Sequence, residues 1–169
     1  IYKSVDLGEN FELFVSLDDN QGIPWNNISH FDIFTPRYFA DDIYLINDMT
    51  LYKINNSTLQ IISSLPGMYS NDVLLTGGAG NNGTFLYAYI GGQIFKSINE
   101  GLTWATMGAA PSSWWWLNGF NSSNLERDRI FIGGMEAFES SNGGNEWELV
   151  NPWWEYYDNI ESKLHADIP

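Results

Sequence analysis

An eleven-residue pattern occurs three times in this 169-residue chain, and no other feature of the sequence restricts the fold as strongly. The copies are "IYKSVDLGENF" from Ile1, "IFKSINEGLTW" from Ile94 and "AFESSNGGNEW" from Ala137. Each reads apolar, aromatic, x, Ser, x, Asp or Asn, x, Gly, x, x, aromatic. The fixed positions are Ser4, Asp6, Gly8 and Phe11, then Ser97, Asn99, Gly101 and Trp104, then Ser140, Asn142, Gly144 and Trp147. The last two serines are 43 residues apart and the first two 93 apart, which leaves room for one more unit. That unit is "LYKINNSTLQI" from Leu51, a degraded copy in which Ile54 replaces Ser, Asn56 keeps the amide position and Thr58 replaces Gly. Repeats at a fixed period define an architecture before any single element is assigned.

The chemistry of the pattern is local. An Asp or Asn side chain bonds the amides of its own turn, and Ser does so more weakly. Gly takes the positive φ that other residues resist. The aromatic then opens the next strand and faces inward. The pattern predicts a self-supporting hairpin turn with a strand on each side.

The segment "SINEGLTW" resembles the Asp-box, or BNR, repeat of β-propellers, Ser-x-Asp/Asn-x-Gly-x-Thr-Trp. That repeat is found in sialidases, sortilin-like proteins, xyloglucanase-type glycoside hydrolases and photosystem-assembly factors of plants and cyanobacteria. The resemblance extends through the whole chain by repetition and implies a fold rather than a function. Strand-like runs precede the boxes ("DDIYLIND", "TFLYAYIGG", "RDRIFIGG") and follow them ("FELFVSL", "LQIISS", "TWATMG", "EWELV"). Each unit then reads as a four-stranded meander, one propeller blade, with the box between its third and fourth strands. Innermost strands are assigned to 30–35, 72–76, 116–120 and from 165 onward.

The expected fold is therefore all-β, a partial β-propeller of four-stranded antiparallel blades with Asp-box turns. Residues 1–17 are the end of one blade, 30–64, 72–108 and 116–150 are three blades, and 164–169 start the next. This arrangement reads as a segment of a longer chain or as half of a propeller completed elsewhere, with a compact four-bladed ring as the alternative.

In a propeller the connections alternate between two faces. With the boxes on one, the blade-to-blade segments fall on the other, where propellers generally bind ligands. Six of the eight tryptophans map to those segments: Trp25, Trp114, Trp115, Trp116, Trp153 and Trp154. Tyr156 and Tyr157 accompany them, as do Met68 and Tyr69. Flat aromatic faces beside Asn and Asp suit carbohydrate rings, which makes Trp25, Trp114–Trp116, Trp153, Trp154, Tyr156 and Tyr157 candidate ligand-binding residues. The competing reading is that these rings fill the wedge between adjacent sheets, with alternate residues of the Trp run facing opposite ways.

A second regularity lies on the innermost strands, which place Asp32, Asp72, Asn118 and Asp167 at equivalent positions, with His30 and His165 two residues before their Asp. These residues would line the central channel. Three readings compete: bonds to backbone amides of a neighbouring blade, a hydrated cation held on the axis, or catalysis.

Composition narrows the chemistry. Seven Lys and Arg against 21 Asp and Glu give a formal charge of −14, which disfavours nucleic acid. There is no cysteine, hence no disulfide, thiolate metal site or Cys nucleophile. No run of about 18 apolar residues suggests a membrane span, and the first residues carry no export signal, so any targeting segment is expected to be missing from this sequence. Only Arg37, Arg127 and Arg129 could supply the arginine triad of a sialidase, and its Arg-Ile-Pro motif is absent. A glycosidase needs a spaced carboxyl pair; Asp32, Asp72, Glu155 and Asp167 are candidates, and no motif singles out two of them. No phosphate loop, nucleophile elbow or zinc signature occurs. The expectation is a secreted or cell-surface binding module without cofactor or metal, contacting a glycan or protein partner through the aromatic connections. A glycoside hydrolase and a structural subunit of a larger surface assembly are the alternatives.

Overall fold

The computed structural model describes residues 1–16, 31–37, 42–55, 57–67, 70, 72–80, 83–113 and 117–152. Strands β1 (Tyr2–Lys3) and β2 (Glu12–Leu13) form a hairpin at the amino-terminal end. Three four-stranded sheets follow, each antiparallel and in simple sequential order. The first sheet contains β3 (Phe31–Phe34), β4 (Ile43–Asn47), β5 (Thr50–Asn55) and β6 (Thr58–Ser64). The second contains β7 (Val73–Gly80), β8 (Gly83–Ile90), β9 (Gln93–Ser97) and β10 (Ala105–Ala109). The third contains β11 (Gly119–Ser122), β12 (Ile130–Gly133), β13 (Ala137–Ser140) and β14 (Glu148–Leu149).

The second sheet lies between the other two, and β8 shows why its sequence must be apolar on both faces. Successive strand residues point to opposite sides. Leu86, Ala88 and Ile90 enter one core with Tyr44, Ile46 and Leu51 of the first sheet. Phe85, Tyr87 and Tyr89 enter a second core with Phe120, Ile130, Ile132 and Phe138 of the third. Burying such side chains contributes about 1.5–3 kcal/mol each, so the sheets are joined mainly through these two layers. The first strands adjoin as well, β7 lying against both β3 and β11. The fourth strands β6 and β10 are largely exposed at the outer edge.

Two local features differ from the pattern expected of the sequence. Strand β7 continues past Thr76 to Gly80, with Gly80 paired to Gly83. Its glycines permit this: a Cβ on Gly77 would fall 2.2 Å from the Phe85 carbonyl oxygen and 2.9 Å from the Phe34 ring. The degraded repeat is not a box turn, because Asn55 pairs directly with Thr58 and only two residues connect β5 to β6. Ser57 takes the left-handed conformation there, with φ 61°. Without a serine at residue 54 there is no hydroxyl to hold a longer loop, and a tight hairpin turn replaces it. Asn56 lies outside the described residues.

Candidate functional site

The three intact repeats share one hydrogen-bond arrangement, each between a third and a fourth strand or between β1 and β2. In the second sheet the Ser97 hydroxyl donates to Asn99 Oδ1 at 2.9 Å and accepts the Gly101 amide at 2.9 Å, while Asn99 Oδ1 accepts the Thr103 amide at 3.0 Å. In the third sheet Ser140 donates to Asn142 at 3.0 Å and accepts from Gly144 at 2.8 Å, and Asn142 accepts from the Glu146 amide at 2.9 Å. In the hairpin Ser4 donates to Asp6 at 2.7 Å and accepts from Gly8 at 2.8 Å, and Asp6 accepts from the Asn10 amide at 2.9 Å. The glycine expected to be left-handed is so in each, with φ of 90°, 84° and 95° at Gly8, Gly101 and Gly144. The preceding residue is left-handed too: Leu7, Glu100 and Gly143 have φ of 60°, 58° and 72°. The sequence pattern leaves that position open and gave no sign of this.

Only the first turn carries an ionisable group at its centre. Hydrogen bonds from the Asn10 side chain and amide and from Ser4 hold the Asp6 carboxyl at about 2, below its ordinary 3.8. A depressed carboxylate pKa stabilises the fold above its unfolded value, and that contribution disappears as pH falls through the folded one. The amide resonances of Gly8 and Asn10 are therefore expected to titrate with a midpoint near pH 2, while those of Gly101 and Gly144, whose turns are built on Asn99 and Asn142, hold still. An NMR titration from pH 4 downward checks this.

The turns of the second and third sheets also form the contacts between sheets. A Cβ on Gly101 would meet Leu51 Cδ2 of the first sheet at 2.0 Å, and one on Gly144 would meet Ile94 Cγ2 of the second at 2.9 Å. Trp104 Nε1 donates to Ser63 Oγ on β6 at 3.1 Å, and Trp147 Nε1 donates to the Ala109 carbonyl on β10 at 3.1 Å. Ion pairs cross the same interfaces. Lys53 lies 2.9 Å from Asp42 of its own sheet and 3.1 Å from Glu100 of the next, and Lys96 pairs with Asp128. Burial works against the Lys53 ammonium, yet the two carboxylates outweigh it and raise its pKa. Burial raises the Tyr87 phenol, and Asp128 adds to the shift; the Tyr87 hydroxyl donates to the Arg127 carbonyl at 3.0 Å.

Of the residues placed along the channel, Asp32 has a defined partner. Its Oδ1 accepts the Ile33 amide at 2.8 Å and its Oδ2 accepts the Leu75 amide of the second sheet, also at 2.8 Å. This geometry supports the backbone-bonding reading at that residue. Asp72 and Asn118 precede β7 and β11, and no hydrogen bond among the described residues joins them to each other or to Asp32. His30, His165 and Asp167 lie outside the described residues. Asp32→Ala leaves the buried Leu75 amide without an acceptor, and an unfolding free energy lower by about 1–2 kcal/mol is expected in urea titrations, with Asp32→Asn retaining part of it.

Trp25, Trp114, Trp115, Trp116, Trp153, Trp154, Tyr156 and Tyr157 all lie outside the described residues, as do Met68, Tyr69 and Glu155. The strands that flank the Trp114–Trp116 segment are described. β10 ends and β11 begins at the end of the sheets away from the turns, so the chain leaves and rejoins the sheets there. At that end Ser113 Oγ donates to Glu136 Oε2 at 2.6 Å, and Glu136 is 3% exposed. Sequence reading did not single out Glu136, because nothing local links the β12–β13 connection to the residue before Trp114. A groove of about 210 Å³ lies by the third turn, lined by Glu139, Ser141, Asn142, Glu146, Trp147 and Glu148.

No protein-family model matches the chain, and no curated protein matches it. Solved structures do match. YCF48 from Cyanidioschyzon merolae superposes with a TM-score of 0.53 at 12% identity, over 71% of this chain and 36% of its own length. A structure described as YCF48 bound to D1 peptide gives 0.49 at 12% identity, over 71% and 38%. The Niastella koreensis GH74 enzyme gives 0.48 at 14%, over 70% and 17%. This chain thus spans 36% of the first of these structures. With the three sequential four-stranded sheets, the first likeness defines the class: the chain is all-β, a partial β-propeller of four-stranded antiparallel blades. At such identity the likeness describes the fold and leaves activity to the residues of the site.

Proposed function

We propose that this chain is a segment of a noncatalytic Asp-box propeller of a secreted or surface-exposed protein, and that it binds a glycan or protein partner at the blade ends opposite the box turns. The observation that carries this reading is how the described polar groups are used. The box side chains bond their own turns and the preceding sheet, and the Asp32 carboxylate is divided between two backbone amides. A carboxylate so engaged is a structural group rather than a free acid or base. The aromatic side chains available for recognition belong, by sequence, to segments that leave the sheets at the other end.

The test compares the intact protein with a Trp115→Ala/Trp154→Ala variant on a glycan array and in pull-downs. Loss of about tenfold or more in affinity is expected where aromatic anchors dominate binding. Equal binding by both proteins overturns the aromatic-face reading. Hydrolysis of a polysaccharide panel that Asp32→Asn abolishes overturns the noncatalytic one.

A further inference from the structure

The turn between β12 and β13 carries a side-chain grip that, among the described residues, the corresponding turns of the other two sheets lack. In the first sheet the chain leaving the fourth strand is held to this turn by one backbone bond, from the Leu65 amide to the Met49 carbonyl at 2.7 Å. In the second it is again one, from the Ala110 amide to the Gly92 carbonyl at 2.7 Å. Gly91 and Gly92 have no side chain to add, and Asn47 Oδ1 and Asp48 Oδ1 of the first turn make no hydrogen bond. The third sheet has its backbone bond as well, from the Val150 amide to the Ala137 carbonyl at 2.9 Å. There Asn151 Nδ2 also donates to the Met135 carbonyl at 3.0 Å, and Asn151 Oδ1 accepts the Ala137 amide. Glu136 stands between those two residues, and its Oε2 accepts from Ser113 Oγ at 2.6 Å.

A third stretch of chain stands on the same turn. The Asn118 amide donates to the Gly133 carbonyl at 2.9 Å, and the Gly134 amide closes the turn on the Glu136 carbonyl at 2.9 Å. The turn is tight: a Cβ on Gly133 would fall 2.6 Å from the Glu136 carbonyl oxygen and 2.9 Å from Ala137 Cα. The chain therefore meets the turn at Ser113 and again at Asn118, on either side of the tryptophan run. Asn151 lies two residues before Trp153 in sequence. By sequence, the residues next to these three anchors include five of the six tryptophans assigned to the connections, all except Trp25.

Burial makes the choice of residue informative. Glu136 is 3% exposed, and a carboxyl group withdrawn from water costs stability unless hydrogen bonds offset the loss. An apolar side chain would fill the same place without that cost. What the carboxyl group adds is a fixed point for Ser113, forty residues of strand and turn being unnecessary to hold it. Chain that is already fixed loses less freedom when a partner binds, so anchoring of this kind raises affinity without a new contact.

We propose that the β12–β13 turn couples the chain on either side of the Trp114–Trp116 run to the chain that leaves β14, with Glu136 and Asn151 as positioning residues for partner binding at that end of the sheets. Glu136 fixes Ser113, Asn151 fixes the chain after Val150, and both act through neighbouring residues of one tight turn, so that loosening either grip loosens the other. The coupling is read from the hydrogen bonds alone; its role in binding rests on the aromatic-face reading above.

Amide hydrogen exchange, read by NMR, tests the coupling with no partner present. Ser113→Ala removes one grip, and the Ala137 and Val150 amides, neither bonded to Ser113, are expected to exchange about tenfold faster. Asn151→Ala is the converse, and there the Asn118 amide is expected to exchange about tenfold faster. The Gly101 and Gly144 amides of the box turns keep their wild-type rates, which loosening of the whole third sheet would not allow. Glu136→Gln retains an oxygen for Ser113 and is expected to recover most of the protection that Glu136→Ala loses; the two single-grip variants decide the matter if Glu136→Ala does not fold. On the glycan array and in pull-downs, Ser113→Ala and Asn151→Ala are each expected to bind about tenfold more weakly, although both keep every tryptophan. A rise confined to the side of the substitution overturns the coupling, and so does an equal rise at Gly144. Full binding by a variant that shows the coupled rise overturns the positioning role. If the wild-type chain binds nothing in either assay, the aromatic-face reading and the positioning role fall together, while the exchange rates still decide the coupling.

Discussion

Gly101→Val is expected to lower the unfolding free energy by about 2–5 kcal/mol, the largest effect of any single change at the turns. Two costs add. The φ of 84° is one that a β-branched residue adopts only with strain, about 1–2 kcal/mol on its own. The new side chain would also begin 2.0 Å from Leu51 Cδ2 and 3.3 Å from Leu86 Cδ1. Leu51 and Leu86 are both fully buried, so neither can turn away without disturbing the core between the first and second sheets. Overpacking of that kind costs about 1–3 kcal/mol. Gly8→Val separates the terms. Its φ of 90° imposes the same strain, but the space around it is open. Urea denaturation of the two variants should give a difference of about 1–3 kcal/mol, which measures the inter-sheet contact alone. Equal losses at both sites would show that the glycine is required only by its turn.

The contrast between Gly101 and Gly8 also marks how far the fold could be read from sequence. The turn was legible because the bonds made by its Ser and Asn side chains run between residues no more than four apart, as from Ser97 to Gly101 and from Asn99 to Thr103. Its place between third and fourth strands followed from the strand-like runs on either side. The alternation along β8 was visible as a long apolar run, though not which residue faces which sheet. What stayed illegible depends on pairs brought together from different sheets. The bond from Asp32 to Leu75, the Ser113–Glu136 pair and the Lys96–Asp128 pair have no local signature. The failed reading at the fourth copy has a local cause. Asn56 and Thr58 resemble the box in type, but Ile54 removes the hydroxyl on which the turn is built, and β5 and β6 close through a two-residue connection instead.

That substitution, present already in the first sheet, points to the second large effect. Ser97→Ala is expected to cost about 2–3 kcal/mol. Ser97 is 1% exposed, and its hydroxyl is the acceptor of the Gly101 amide in a buried turn. Alanine leaves that amide without a partner where water cannot replace it, a penalty of about 1–3 kcal/mol. It also removes the donor to Asn99 Oδ1, so Asn99 is less firmly held toward Thr103. Because both side chains belong to one network, Ser97→Ala and Asn99→Ala should be strongly non-additive, the double variant costing little more than the first alone. Ser4→Ala removes the same two bonds from an exposed turn. Water can satisfy the Gly8 amide there, and the loss should stay below about 1 kcal/mol.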